Sequence, residues 1–218
     1  MAFENKIVEA FIEIPTGSQN KYEFDKERGI FKLDRVLYSP MFYPAEYGYL
    51  QNTLALDGDP LDILVITTNP TFPGCVIDTR VIGYLNMVDS GEEDAKLIGV
   101  PVEDPRFDEV RSIEDLPQHK LKEIAHFFER YKDLQGKRTE IGTWEGPEAA
   151  AKLIDECIAR YNEQKTSNPS NISFHQTPFF YFRTILPMSF DMGAFLFQIP
   201  NIPAQKKRFH WYDFFFPH

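Results

Sequence analysis

Carboxylates concentrated in turns are the residues of this chain whose types and spacing point most directly to chemistry. Asp57, Asp59 and Asp62 fall within six residues, and Asp89 and Asp94 bracket a second acidic turn, Asp89-Ser90-Gly91-Glu92-Glu93-Asp94. Turns at strand ends are where a rigid scaffold presents functional groups. Hard oxygen ligands select Mg²⁺ or Mn²⁺ over zinc. A solvated turn is the competing reading of Asp57-Gly58-Asp59 taken alone. A calcium-binding EF-hand loop fits poorly, because Leu61 and the apolar residues 63–65 stand where polar groups or glycine are required. Zinc has no pattern either: the first 165 residues hold only His119 and His126. These two sit seven apart on one helix face and read as packed or exposed residues rather than ligands.

A second set is basic and phenolic. Lys21 and Glu23 project together from one strand, and Arg35 ends another. Tyr43 and Tyr47 lie in Phe42-Tyr43-Pro44-Ala45-Glu46-Tyr47-Gly48-Tyr49, Lys96 follows the second acidic turn, and Tyr131-Lys132 closes a helical stretch. Each has an ordinary explanation: Lys96 as a surface charge, the tyrosines as core aromatics, Arg35 as a partner of Asp34 or Glu46. Together they offer donors for phosphate oxygens beside ligands for metals.

The elements that must position these groups are mostly short strands. Val8, Ala10, Ile12 and Ile14 alternate with Glu9, Phe11 and Glu13, which is strand period two. Residues 15–20 form a turn, and residues 21–25 and 30–36 read as further strands around Glu27-Arg28-Gly29. Residues 47–56, 61–67, 76–88 and 95–102 continue the series. Six or so short strands with Gly and Pro turns read as a barrel or a sandwich. Two helices follow. Residues 117–134 carry Leu121, Ile124, Phe128 and Tyr131 at helical spacing, with Gly136 as a stop; residues 147–164 carry Ala150, Leu153, Ile154, Cys157, Ile158 and Tyr161, with Pro147 in the first turn.

The 218 residues carry 23 Lys and Arg against 33 Asp and Glu, a formal net charge of -10. That disfavours a general nucleic-acid binder, which needs a basic surface. It leaves a phosphate substrate open, since metals held by carboxylates can reverse the local sign. The charge is unevenly divided. Residues 1–165 hold 19 basic and 31 acidic residues, whereas residues 166–218 hold four basic and two acidic, together with 11 of the 20 Phe. Cys75 and Cys157, far apart and outside any CxxC pattern, fit a reducing compartment. The first residues lack an apolar signal region. The one candidate membrane stretch, residues 179–199, holds Arg183, Pro187 and Asp191, which argues against a span.

The sequence resembles the soluble family I inorganic pyrophosphatases of bacterial and plant type. Asp57-Gly58-Asp59-Pro60-Leu61-Asp62-Ile63-Leu64 matches the family signature, an Asp-[Ser/Gly]-Asp-Pro-hydrophobic-Asp run followed by two hydrophobic residues. Glu13-Ile14-Pro15, Lys21-Tyr22-Glu23, Phe42-Tyr43-Pro44, Tyr47-Gly48-Tyr49, Glu93-Asp94-Ala95-Lys96 and His126-Phe127-Phe128-Glu129-Arg130-Tyr131-Lys132 follow in the family's order and spacing. The likeness covers residue 3 to about residue 162. It implies a mainly β, α+β fold: an OB-fold-like closed β-barrel with two C-terminal helices. It implies an inorganic diphosphatase, a phosphoanhydride hydrolase that splits pyrophosphate into two phosphates with several Mg²⁺ ions per active site, Mn²⁺ being a substitute.

The resemblance also implies roles. Asp57, Asp62 and Asp94 carry the first metal, Asp62 reaches the second, and Asp89 with Asp94 serves further ions. Glu13 and Glu23 stand behind them or on metal-bound water. Asp59 is the general base toward the attacking water, and Tyr47 borders the cluster. Lys21, Arg35, Tyr43, Lys96, Tyr131 and Lys132 contact the phosphates or hold the acids. A homohexamer in the cytoplasm, with neither nucleic acid nor membrane as partner, completes the expectation.

Three rivals are weaker. A DxD glycosyltransferase needs a βαβ organisation and a Gly-rich nucleotide loop that are not seen here. An OB-like nucleic-acid module needs a basic groove with stacking aromatics. A family member that has lost activity should lack catalytic-type residues, yet all are filled. The chain thus divides into a catalytic domain at residues 1–165 and a tail at 166–218 that departs from the family. That tail reads as a segment docking on the barrel or a neighbouring subunit, as a stretch with no evolved role and no order, or as a membrane contact. The abrupt shift in composition favours the second.

Overall fold

The computed structural model describes residues 4–167; the tail expectations from residue 168 onward, and the stretch 179–199, lie outside the described residues. The described residues form nine strands and two α-helices. The strands are β1 (Ile7–Ile14), β2 (Asn20–Asp25), β3 (Ile30–Val36), β4 (Glu46–Leu50), β5 (Asp62–Val65), β6 (Val76–Asp89), β7 (Glu92–Glu93), β8 (Lys96–Pro101) and β9 (Thr139–Glu145). The helices are α1 (Gln118–Arg130) and α2 (Pro147–Ser167).

The barrel-or-sandwich question is resolved by the pairings. β1 pairs with β4, β4 with β5, β5 with β8, β8 with β6, and β6 returns to β1, so five strands close a ring. All these pairs are antiparallel except β5–β8, which is parallel. Closure removes the exposed edges that an open sheet leaves. β6 is 14 residues long, which lets it serve β1 with its first residues and β9 with its last. Gly48 is required where β4 crosses β1: a Cβ there would lie 1.9 Å from the Phe11 carbonyl oxygen.

β2 and β3 form a separate two-stranded ribbon. It is seated on β1 and β4 by aromatic rings: Phe11 lies 5.2 Å from Phe24, 5.9 Å from Phe31 and 5.3 Å from Tyr49, centroid to centroid. Such offset and tilted contacts add to the burial of the rings.

Adjacent strand residues feed two cores. Leu64, Ile82 and Ile98 pack with Leu121, Ile124, Phe127 and Phe128 of α1. Their neighbours Ile63, Val81 and Leu97 pack with Ala150, Ile154 and Cys157 of α2. Side chains alternate across a strand, so a strand buried on both faces reads as a continuous apolar run.

Several boundaries differ from the sequence expectation. β4 stops at Leu50, not at residue 56, because the chain turns at Gln51-Asn52, where Asn52 takes a φ of 59°. β5 begins after Pro60 and spans four residues. α1 ends at Arg130, and residues up to 135 continue as a tighter turn that Gly136 terminates with a φ of 68°. α2 runs to Ser167, two residues beyond the expected domain boundary. β9 was not foreseen: most of its side chains are exposed or half-exposed, and it carries little apolar period.

Candidate active site

The parallel β5–β8 pairing places Asp62 opposite Lys96. Lys96 is 3 % exposed, so it is a buried cation rather than a surface charge. Its ammonium bonds Asp62, lies 2.5 Å from Asp94 Oδ1, and donates to the Tyr47 hydroxyl at 3.3 Å. Tyr47 in turn donates to Asp62 Oδ2 at 2.5 Å. Burial alone would lower the pKa of Lys96, but the charges of Asp62 and Asp94 outweigh it and push the pKa well up, so the ammonium stays charged. The floor is aromatic: Lys96 Nζ lies 5.6 Å above the Tyr47 ring and 6.0 Å above that of Phe128.

Tyr43, Tyr131 and Lys132 close one side. Tyr43 packs on Tyr47 and Phe127, and Phe127 stacks on Tyr131. Burial raises the phenol pKa of Tyr43, Tyr131 and Tyr47 alike, with help from neighbouring carboxylates. All three therefore remain O–H donors at neutral pH. Lys132, two residues past the end of α1, pairs with Asp89 at the end of β6. Burial pushes the Asp89 carboxyl up, but the Lys132 bond and charge, with a 3.0 Å bond from Ser90, hold it below its usual range.

The ribbon adds further charges, and its Arg35 is near enough to Tyr43 and Tyr131 to act on both phenols. The β2–β3 register sets Lys21 against Arg35. Lys21 pairs with Glu23 and lies 3.5 Å from Asp34, and Arg35 lies 2.6 Å from the same Asp34. Of the two partners that the sequence left open for Arg35, the structure selects Asp34. Glu13, at the end of β1, accepts from the Phe24 amide at 2.7 Å. Burial raises its pKa to about 7, with the Asp62 charge adding to the rise.

Asp57 and Asp59 sit in the exposed turn before β5. The Asp59 amide donates to Asp57 Oδ1 at 3.0 Å, and Gly58 takes a φ of 89° that side chains disfavour. Burial and the nearby Asp59 and Asp62 charges raise Asp57, and burial with Asp62 and Asp57 raises Asp94. Among the described residues, no three carboxylate, imidazole or thiol side chains converge closely enough to enclose an ion. Lys96 stands between Asp62 and Asp94 instead. The donors are nonetheless hard oxygens crowded against one another, the arrangement that a divalent cation relieves.

All fourteen sequence-derived residues thus belong to one electrostatically linked region, with Asp57 and Asp59 at its exposed rim. His119 and His126 stand apart on the exposed face of α1, near Glu123 and Glu129. Asp34, which bridges two of the cations, was overlooked as more than a neighbour of Arg35; the signal was its place in the register opposite Lys21. Of these fourteen residues a groove of about 430 Å³ meets only Asp94, and it runs past Tyr84 toward Cys157 and Arg160 of α2.

The sequence and the fold have known counterparts. The family model described as inorganic pyrophosphatase matches residues 10–162. An inorganic pyrophosphatase of Bacillus sp. (strain PS3) is 99% identical over 165 residues, which is 76% of this chain and 100% of that protein. One from Halalkalibacterium halodurans is 76% identical over 161 residues, 74% of this chain and 99% of the relative. Among solved structures, the inorganic pyrophosphatase from Thermus thermophilus superposes with a TM-score of 0.70 at 46% identity, covering 74% of this chain and 97% of its own. The family match ends before the change of composition near Lys165. No helix among the described residues is long and apolar enough to cross a membrane.

Proposed function

Because this chain belongs to the inorganic pyrophosphatase family and is an inorganic diphosphatase, we propose that it hydrolyses pyrophosphate with magnesium as cofactor and Asp59 as general base. The observation that carries this reading is the Tyr47–Asp62–Lys96–Asp94 cluster built on the buried Lys96, with Lys21, Arg35 and Lys132 held by carboxylates around it.

Asp57, Asp62, Asp89 and Asp94 would hold the magnesium, or manganese in its place, with Glu13 and Glu23 behind them. Bound there, divalent ions supply the positive charge that admits a highly anionic substrate among carboxylates, and they make water more acidic.

The chain's own residues do the rest. Asp59, on its exposed turn, takes a proton from the water that attacks one phosphorus. The new P–O bond forms as the bridging P–O bond breaks, and the bridging oxygen leaves on the second phosphate. Lys21, Arg35 and Lys132 move from their carboxylates to the phosphoryl oxygens and stabilise the charge spread over them. Tyr43 and Tyr131 donate as neutral phenols. Lys96, fixed by Asp62 and Asp94, keeps those two acids apart and oriented.

The wider reading is a catalytic domain at residues 1–165 that forms a cytoplasmic homohexamer, with residues 166–218 as an appended segment. Support comes from the extent of the family match and from the charge change at Lys165. A phosphate-release assay with pyrophosphate and magnesium, with EDTA as control, tests the activity. Two phosphates per pyrophosphate, abolished by EDTA and restored by excess magnesium, is the expected result. Hydrolysis indifferent to EDTA overturns the metal assignment. Truncation after Lys165, followed by the same assay and light scattering, is expected to leave activity and a hexamer intact.

A further inference from the structure

Glu46 is a fully buried carboxylate that the proposed mechanism does not use. It opens β4, immediately before Tyr47. Among the described residues its partners are all neutral donors, and they come from two loops. Its Oε1 accepts from the Thr16 amide at 3.0 Å, the Thr71 amide at 3.1 Å and the Thr67 hydroxyl at 3.5 Å, while Oε2 accepts from the Thr71 hydroxyl. Burying a charge is costly, and hydrogen bonds to a charged acceptor are the stronger kind that can offset the cost. A neutral side chain would fill the space without that cost, so position, rather than packing, is what the carboxylate supplies.

Each loop adjoins a strand that carries site residues. Thr16 lies in the turn that joins β1, which carries Glu13 next to its last residue, to β2, which carries Lys21 and Glu23. The Thr67–Thr71 loop follows β5, which opens with Asp62. The first loop is further tied to the segment preceding β4: the Gly17 amide donates to the Tyr43 carbonyl at 2.9 Å, and the Tyr43 amide donates to the Ser18 carbonyl at 2.9 Å. The β2–β3 ribbon shares no ladder with the barrel, so this turn, the aromatic seat under the ribbon and the Phe24–Glu13 bond set its placement.

We propose that Glu46 is a positioning residue for pyrophosphate hydrolysis: its buried carboxylate clamps the Thr16 turn and the Thr67–Thr71 loop to β4. The clamp thereby holds the ribbon cations Lys21 and Arg35 at a fixed distance from the Tyr47–Asp62–Lys96 cluster. This rests on the phosphate-binding role proposed above for those two cations. Loss of the clamp shifts the ribbon but leaves the β5–β8 pairing intact, so substrate binding suffers more than turnover.

The test is steady-state kinetics and thermal melting on Glu46→Met, Glu46→Gln and, as a control remote from the site, Ile154→Ala in the α2 core. Methionine removes every acceptor at this position. Glutamine keeps Oε1 toward the two amides, and its NH₂ can donate to the Thr71 hydroxyl, so it should restore most of the function. The expected KM for pyrophosphate rises about tenfold or more in Glu46→Met and about threefold in Glu46→Gln, with kcat changing less. Ile154→Ala, although destabilised, keeps the parent KM. A parent-like KM in a folded Glu46→Met, or an equal KM rise in Ile154→Ala, overturns the proposal. If Glu46→Met does not fold, Glu46→Gln decides, and a KM equal to the parent's overturns it. A parent chain that releases no phosphate would instead refute the functional reading itself.

Discussion

The two helices flank the same barrel and do different work. α1 buries Leu121, Ile124, Phe127 and Phe128 against one set of strand faces, and its end delivers Tyr131 and Lys132 to the site. Phe127 and Phe128 also form the floor under Tyr43, Tyr47 and Lys96. α2 buries Ala150, Ile154 and Cys157 against the alternate faces and supplies none of the fourteen site residues. On the α1 side, packing and chemistry share atoms, so one substitution strikes both. On the α2 side they are separable.

Substitutions in the site and in each helix, and labelling of the two thiols, test that contrast. The largest effect belongs to the acidic turn itself. Asp59→Asn removes the proposed base from an exposed position, so turnover should fall about 100-fold to 10,000-fold while the melting temperature stays put. A large drop in melting temperature would show instead that Asp59 serves the fold.

Phe128→Ala comes next, because it empties a site 1 % exposed beneath Lys96. A cost of about 3–5 kcal/mol in stability is expected, read by chemical denaturation. The folded fraction should also lose activity, since Lys96 and Tyr47 lose their support. Ile154→Ala on α2 should cost about 2–5 kcal/mol in the same denaturation experiment. Per folded molecule, its kcat/KM should match the parent. Equal activity losses from the two helices would remove the contrast.

The smallest effect is chemical. Cys157 is fully buried in the α2 core; burial raises its thiol pKa, and the Arg160 guanidinium, 3.0 Å from its sulfur, only partly offsets that. Cys75 is partly exposed. Iodoacetamide at neutral pH should therefore label Cys75 first, with Cys157 protected until the chain unfolds. Early labelling of Cys157, followed by mass spectrometry of the peptides, would show that α2 opens more readily than its packing implies.

Much of this was readable from the chain because it depends on local order. The Asp57-Gly58-Asp59 turn, the alternation in β1 and the apolar stripes of both helices are set by near neighbours in sequence. The burial of Lys96 was not readable. It follows an acidic turn, as a solvated lysine would, and only the long-range β5–β8 register places it against Asp62. β9 escaped for the opposite reason: it pairs only with β6 among the described strands and leaves most of its side chains toward solvent, so its sequence carries little apolar period. Glu46 and Asp34 looked like interchangeable partners for Arg35. The tertiary structure separates them, giving Asp34 two cations and Glu46 two loops.

The central claim is that the carboxylate and lysine cluster around Asp62 hydrolyses pyrophosphate. Its most direct test is phosphate release by Asp62→Asn beside the parent, with magnesium present and melting temperatures matched. A folded variant whose turnover is lower by about two orders of magnitude or more is the predicted result. Near-normal pyrophosphate hydrolysis by Asp62→Asn would contradict the account.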